Sequence, residues 1–289
     1  MKIKPYRHPQ TRSASVSVPT AGRRAVILAG GRGTRLHPYT HVLPKPLMPI
    51  GDYPILEVVI RQLALSGFNH ITLAVNHQAD IIQSYFNSGV KWGVTIDYSL
   101  EKEPLSTMGP LKLISSLPEH FLVMNGDVLT DLDFSEFFIR HVNGGHLFTI
   151  SACERAQASE YGVLRVNATR NLVSFEEKPV IIHEVSMGVY MLSRPVLDMI
   201  PRGRAYGFDR LMVDMLKARM AVHVERHAGY WLDIGRPDDY HRAIEIFEKQ
   251  RERFLKSGCL ENPSVRPLFR SPGAGRRERC AAEPVAHLG

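Results

Sequence analysis

The sequence predicts an α/β fold: a doubly wound, mostly parallel sheet with helices on both faces and a small antiparallel subdomain. Three observations carry this. Short apolar runs alternate with helix-period segments from Arg24 to about residue 152, the βαβ rhythm of a parallel sheet. The first run, Ala25-Val26-Ile27-Leu28, is continuously apolar, as suits a strand covered on both faces. From Gly162 to Leu192 the pattern changes to short strands with little helix between them, which suggests an antiparallel subdomain laid on the sheet's edge.

In chain order, a strand at 24–29 stops at the glycine cluster Gly30, Gly31 and Gly33. Next come a helix from Pro54 to Ser66, a strand at 70–75, a helix at 78–86 and a strand at 94–98. Helix 109–116, strand 120–125 (HFLVMN), helix 134–142 and strand 146–152 continue the alternation, with Asp133 placed to cap helix 134–142. GVLRV, LVSFEE and VSMGVYML supply the short strands. A helix at about 208–218, a strand near 221–226 and a long helix from Pro237 to about Leu255 close the fold. There is no internal repeat.

A chain of 289 residues, 44% apolar and 22% charged, can bury a full core. Its net charge of +7 invites a nucleic-acid reading, but the basic residues sit at the ends. Residues 1–24 and 251–289 together carry +10, leaving −3 on the body between them. Both ends are rich in Pro, Ser, Gly and Arg, so flexible extensions are expected at 1–23 and 257–289 around one folded domain at 24–256. No nucleic-acid partner is expected. No run of 18 apolar residues suggests a membrane span, and no apolar stretch follows the basic N-terminal residues as a secretory signal would require. Cys153, Cys259 and Cys280 are too widely spaced for a disulfide framework or a cysteine-based zinc site. A cytoplasmic location is the expectation, and a homo-oligomer is left open.

The stretch AGGRGTRL follows the first strand and gathers Arg32 and Arg35, with Lys45 in the Pro-Lys-Pro nearby. It lacks the Gly-Lys-Ser/Thr ending of a Walker loop, and Leu36 stands where a dinucleotide fingerprint needs its third glycine. What remains is a backbone nest with Arg35 and Lys45 reaching over it, fit for a triphosphate. Asp127, in LVMNGDVL, lies just past a buried strand, where open α/β sheets place their ligands. Asp131-Leu132-Asp133 also reads as the metal motif of a glycosyltransferase, although Asp133 suits the helix cap better. The histidines form no recognisable ligand spacing.

Gly31-x-Gly33-Thr34-Arg35-Leu36-x-Pro38-x-Thr40, followed by Pro44-Lys45-Pro46, resembles the signature of the sugar-1-phosphate nucleotidylyltransferases. The resemblance continues in order through EPLSTMGPL, NGDVL, EYGVL, EEKP, MGVY and WLDIGRPDDY, covering residues 24 to about 245. It implies transfer of a nucleotidyl group from an NTP to a sugar 1-phosphate with release of pyrophosphate. It implies Arg35, Lys45, Asp127 and Asp233 as catalytic residues, with Asp127 and Asp233 holding Mg²⁺. Leu28, Ala29, Gly30, Gly31, Gly33, Thr34, Arg35, Thr107 and Gly109 are implied at the nucleotide. Asn125, Gly126, Tyr161, Gly162, Glu177, Lys178, Ser186 and Gly188 are implied at the sugar phosphate. Ser106-Thr107-Met108-Gly109 departs from the Gly-Thr-Ala-Gly common among relatives, beside the base. GYWLDIGRPDDY and EPL look most like the mannose- or heptose-1-phosphate guanylyltransferase branch, so GTP is the expected nucleotide, with Glu101 and Glu103 as candidate acceptors for guanine N1–H and N2–H. A thymidylyl-, uridylyl- or adenylyltransferase on glucose 1-phosphate is the alternative, and a non-catalytic regulatory relative a more distant one.

Overall fold

The computed structural model describes residues 22–256, so nearly all of both expected extensions lies outside the described residues. After β1 (Arg23–Leu28) come the short strands β2 (Pro49–Ile50) and β3 (Tyr53–Pro54), α1 (Ile55–Leu65), β4 (Phe68–Val75), α2 (Ala79–Phe86) and β5 (Thr95–Leu100). Next are β6 (His120–Asn125), β7 (Val128–Thr130), α3 (Phe134–Asn143), β8 (Phe148–Ala158), β9 (Val163–Val166), β10 (Leu172–Glu176) and β11 (Val180–Ser193). The described chain closes with α4 (Phe208–Lys217), β12 (Val222–Arg226), β13 (Trp231–Asp233), α5 (Pro237–Lys249) and α6 (Arg251–Phe254).

A seven-stranded sheet of order β12-β8-β11-β6-β1-β4-β5 forms the centre. Only β11 runs against its neighbours, so the sheet is mostly parallel. Alternate residues of β1 serve its two faces. Ala25 and Ile27 pack with α1, α2 and α3 through Val59, Ile82 and Phe137, while Val26 packs with Leu211 and Met215 of α4. Each of the larger side chains among these, when fully buried, contributes about 1.5–3 kcal/mol. A third cluster joins Leu36, just after the glycine loop, to Ile50, Phe247 and Phe254, so α5 and α6 brace the loop from below.

Three elements differ from their sequence readings. Residues 109–116 form a short 3-10 turn, Gly109–Leu113, and then extended chain. Arg24 takes the Ser115 and Ser116 carbonyls as acceptors at 3.4 and 3.2 Å, which holds this segment out of a helix. The long C-terminal helix breaks at Gln250, where φ is −133° and ψ is 39°. The turn lets Phe254 stack on Phe247 at 6.0 Å and join the core. VSMGVYML is the inner half of β11, between β6 and β8, rather than an edge element. Its residues from Met187 to Leu192 are buried, as only a central strand allows. The subdomain is instead the β9–β10 hairpin at the tip of a ribbon made by the outer halves of β8 and β11. That ribbon leaves Val180, Ile181 and Ile182 exposed.

Candidate active site

At the C-terminal ends of β1, β4, β5 and β6 the sheet opens into a cavity of about 500 Å³. The glycine loop forms one wall. Gly33 adopts φ 62°, a left-handed conformation that favours glycine. Thr40 donates its hydroxyl to the Gly33 carbonyl at 2.8 Å. The turn that follows, Thr34–Leu36, buries Leu36 and leaves Arg35 facing the cavity. Pro44 and Pro46 flank Lys45 in a second tight turn, Lys45–Leu47, that buries Pro46 and Leu47, so Lys45 is presented to the same space.

The opposite wall is built from Asn125, Gly126 and Asp127 at the end of β6. β7 pairs with β13, placing Asp233 opposite Val128, and Ile234 N donates to the Asp127 carbonyl at 3.1 Å. This three-residue pairing holds the two aspartates next to each other. Lys45 forms an ion pair with Asp127. Burial, reinforced by the Asp127 charge, pushes the Asp233 carboxyl above its ordinary range, while Lys45 and Arg35 oppose the shift. Arg35 reaches this pair: the Cβ that Gly235 lacks would stand 3.2 Å from Asp233 Oδ2 and 3.4 Å from Arg35 Nη2.

Among the residues expected at the nucleotide, Leu28, Ala29, Gly30, Gly31, Gly33, Thr34, Arg35, Glu101 and Thr107 line the cavity. Thr107 also accepts a hydrogen bond from Phe208 N at 2.7 Å, which ties the loop to the start of α4. Gly109 is buried behind that wall, donating to the Tyr206 carbonyl at 3.0 Å, and Glu103 points to solvent outside the lining. Glu101 Oε2 accepts from Leu105 N at 3.0 Å, and burial raises its carboxyl above the usual range.

The residues expected at the sugar phosphate divide into two groups. Asn125 and Gly126 line the cavity, and Gly188 lies against Asn125: its φ is 72°, and a Cβ there would stand 2.6 Å from Asn125 Nδ2. Ser186 accepts from Gly188 N at 3.2 Å within the irregular register of β11. Tyr161, Gly162, Glu177 and Lys178 lie by the β9–β10 hairpin, outside the cavity lining. There Gly162 abuts Phe175 and Glu177, while Tyr161 and Lys178 are exposed. Pro46 of the Pro-Lys-Pro motif and Ser106 beside the base line the cavity as well, and so do Asn76, Pro104 and Gly235, which were not singled out from the sequence. Asn76 had one available signal, its place one residue past an apolar strand.

Asp131 and Asp133 serve structure. Asp131 Oδ1 accepts from His227 Nε2 and Tyr230 N, both at 2.7 Å, and Oδ2 accepts from Arg253. Asp133 caps α3 by accepting from Glu136 N at 3.0 Å. Among the described residues no three of His, Cys, Asp and Glu gather to hold a metal by themselves. No helix there is long and apolar enough to cross a membrane.

The mannose-1-phosphate guanyltransferase of Yarrowia lipolytica is 36% identical over 225 residues, an alignment spanning 75% of this chain and 62% of that protein. The UTP–glucose-1-phosphate uridylyltransferase of Synechocystis is 34% identical over 264 residues, spanning 84% of this chain and 68% of that protein. The chain thus spans about two thirds of the length of these relatives. The crystal structure of HddC from Yersinia pseudotuberculosis complexed with GMP-PN superposes with a TM-score of 0.60 at 28% identity, covering 78% of this chain and all of that one. Residues 24–250, which contain the glycine loop, both aspartates and the ribbon, match the nucleotidyl transferase family, and the chain belongs to it.

Proposed function

We propose that this chain transfers a nucleotidyl group from an NTP to a sugar 1-phosphate, releasing pyrophosphate and forming an NDP-sugar. The observation that carries the reading is the convergence of Arg35, Lys45, Asp127 and Asp233 at one end of the nucleotide-sized cavity. An oxygen of the sugar phosphate attacks the α-phosphorus as the bond to the β-phosphate oxygen breaks, and the electron pair leaves with pyrophosphate. The nucleophile is already an anion at neutral pH, so no strong base is needed. The barrier is electrostatic, and Arg35 and Lys45 are aimed where charge accumulates. Asn125 and Gly126 face the same space for the acceptor, and Lys178 supplies a cation to its phosphate from the hairpin.

Mg²⁺ fits the donor set. Burial, and after it the neighbouring Asp127 charge, raises the Asp233 carboxyl, and a hard cation held by the two carboxylates would relieve that cost. Bound between Asp127 and Asp233, the ion would neutralise phosphate charge during transfer. GTP with a mannose- or heptose-type 1-phosphate is the favoured pairing, supported by the guanyltransferase relative and the GMP-PN complex. The uridylyltransferase relative favours a second reading, UTP with glucose 1-phosphate. A cytoplasmic location belongs to the same reading.

A matrix of GTP, dTTP, UTP and ATP against mannose, heptose and glucose 1-phosphates, read by pyrophosphate release with Mg²⁺, tests the proposal. Turnover in at least one cell that requires both substrates is expected. Release of nucleoside diphosphate from a supplied NDP-sugar, with no pyrophosphate from any pair, would mean a glycosyltransferase instead.

A further inference from the structure

The outer half of β8 has an open edge. β12 runs beside β8 only from Phe148 to Ala152, and just beyond it His227 N donates to the Ala152 carbonyl at 2.7 Å. On the other side β11 stays paired with β8 as far as Val180 opposite Ala158, after which Ser159 N donates to the Pro179 carbonyl at 2.9 Å. The backbone groups of an antiparallel strand point alternately to its two sides. Ser159 points toward β11 and Ala152 away from it, so Glu154, Ala156 and Ala158 direct their N–H and C=O groups to the open side.

This open window, 154–158, is bounded by the end of β12 on one side and the end of β8 on the other. A second copy of the same strand, antiparallel about a two-fold axis at Ala156, fills it from end to end. Ala156 then faces itself, Glu154 faces Ala158 and Arg155 faces Gln157, so no like charges meet. An axis at Arg155 would set that cation against itself, and one at Gln157 would carry the pairing past the strand and set Glu154 against Glu160. The opposite edge of the ribbon, along outer β11, lies on the side of β6, whose last residue Asn125 lines the cavity. A copy seated on that edge would stand over the cavity, whereas one on β8 leaves it open.

Apolar surface supplies the drive. Leu164, Leu172, Val173, Phe175, Val180 and Ile182, on the ribbon and its hairpin, are each more than half exposed. Monomers rarely expose contiguous apolar patches beyond a few hundred Å², and larger ones mark sites of association. On the face that Ile182 shares with Ala156, Arg226 pairs with Glu154 at 2.9 Å and with Glu184 at 3.1 Å, so neither carboxylate opposes the contact. We propose that two copies of this chain pair through Glu154–Ala158 of β8, edge to edge and antiparallel about Ala156, joining their central sheets into one. The pairing is closed, because the strand each copy offers is the one it accepts, and it removes an edge that otherwise invites further strands.

Sedimentation equilibrium of the full chain tests this without reference to activity. At micromolar concentration the wild type is expected at twice its chain mass of 32.6 kDa, and a monomer overturns the proposal. Ala156→Lys and Ala156→Glu each set like charges face to face at the axis and should weaken the dimer about 100-fold or more. Mixing the two variants sets Lys against Glu and should restore the dimer, a rescue that damage to the ribbon would not permit. Variants that stay dimeric, or a mixture that stays monomeric, overturn the pairing at Ala156. Should either variant fail to fold, hydrogen exchange of the wild type decides: the amides of Glu154, Ala156 and Ala158 should slow as protein concentration rises, and exchange independent of concentration overturns the proposal.

Discussion

Lys45 and Asp127, 82 residues apart, form an ion pair across the cavity. The lysine thereby positions one carboxylate of the proposed metal pair. Asp127→Asn and Lys45→Ala should each lower kcat by about 10²- to 10³-fold, since each removes charge from the point where pyrophosphate departs. The double variant should lose far less than the product of the two, because the residues act as a unit. Pyrophosphate release under saturating substrates measures this. Near-normal turnover of either single variant would remove that residue from the centre.

Asp233 gives a prediction in which stability and activity move in opposite directions. Its carboxyl is raised by burial and by Asp127, so the folded state favours its protonated form. A raised carboxyl costs stability once pH exceeds its folded value. Asp233→Asn should therefore melt higher than the wild type at pH 7 without metal, with a margin that narrows as pH falls and the wild-type carboxyl protonates. The same variant should lose about 10²-fold or more in kcat. Paired melting curves and rates decide it; a lower melting temperature at every pH contradicts the repulsion.

The two substrates should separate by residue. Lys178→Ala should raise KM for the sugar phosphate about 10-fold with kcat little changed, as loss of uniform binding does. Arg35→Ala should act on kcat and on the NTP. Independent titration of each substrate distinguishes them, and a Lys178 effect confined to the NTP would reverse their placement.

A fourth prediction concerns acid stability, away from the cavity. His141 is fully buried, with its ring nitrogens 2.8 Å from the Thr149 hydroxyl and 3.2 Å from that of Ser193. Burial, with the neighbouring His120, His146 and His223, pushes its pKa down to about 3. The unfolded chain binds a proton near pH 6.5 that the folded chain refuses, so stability present above pH 6.5 is lost as pH falls toward 3. Over that window the His141→Gln variant should lose less with acid, the difference approaching about 1.4 kcal/mol per pH unit. Urea denaturation at successive pH values measures the slopes, and identical slopes would contradict it.

What was legible in the sequence is what is encoded locally. The β1 run, the cap at Asp133 and the presentation of Arg35 and Lys45 by glycine and proline turns each depend on a few consecutive residues. The antiparallel sense of β11 was expected but its central place was not legible, because an apolar run declares burial without naming the strands it pairs with. The β7–β13 pairing was hidden for another reason: three residues are too few to show periodicity, and their partners lie about a hundred positions away. Asn76 escaped notice because its unpaired amide is a property of the folded neighbourhood, visible only once β4 and β5 are in register.

That same short pairing sets an order of events. Every strand of the main sheet lies before residue 227, whereas Asp233 arrives with β13, and Phe254 must then pack against the loop's support. A growing chain can thus own its sheet and glycine loop while holding only one of the two carboxylates. Under the proposed chemistry the second carboxylate is supplied only by β13, so turnover would report that the last described segment has joined the sheet-bearing core.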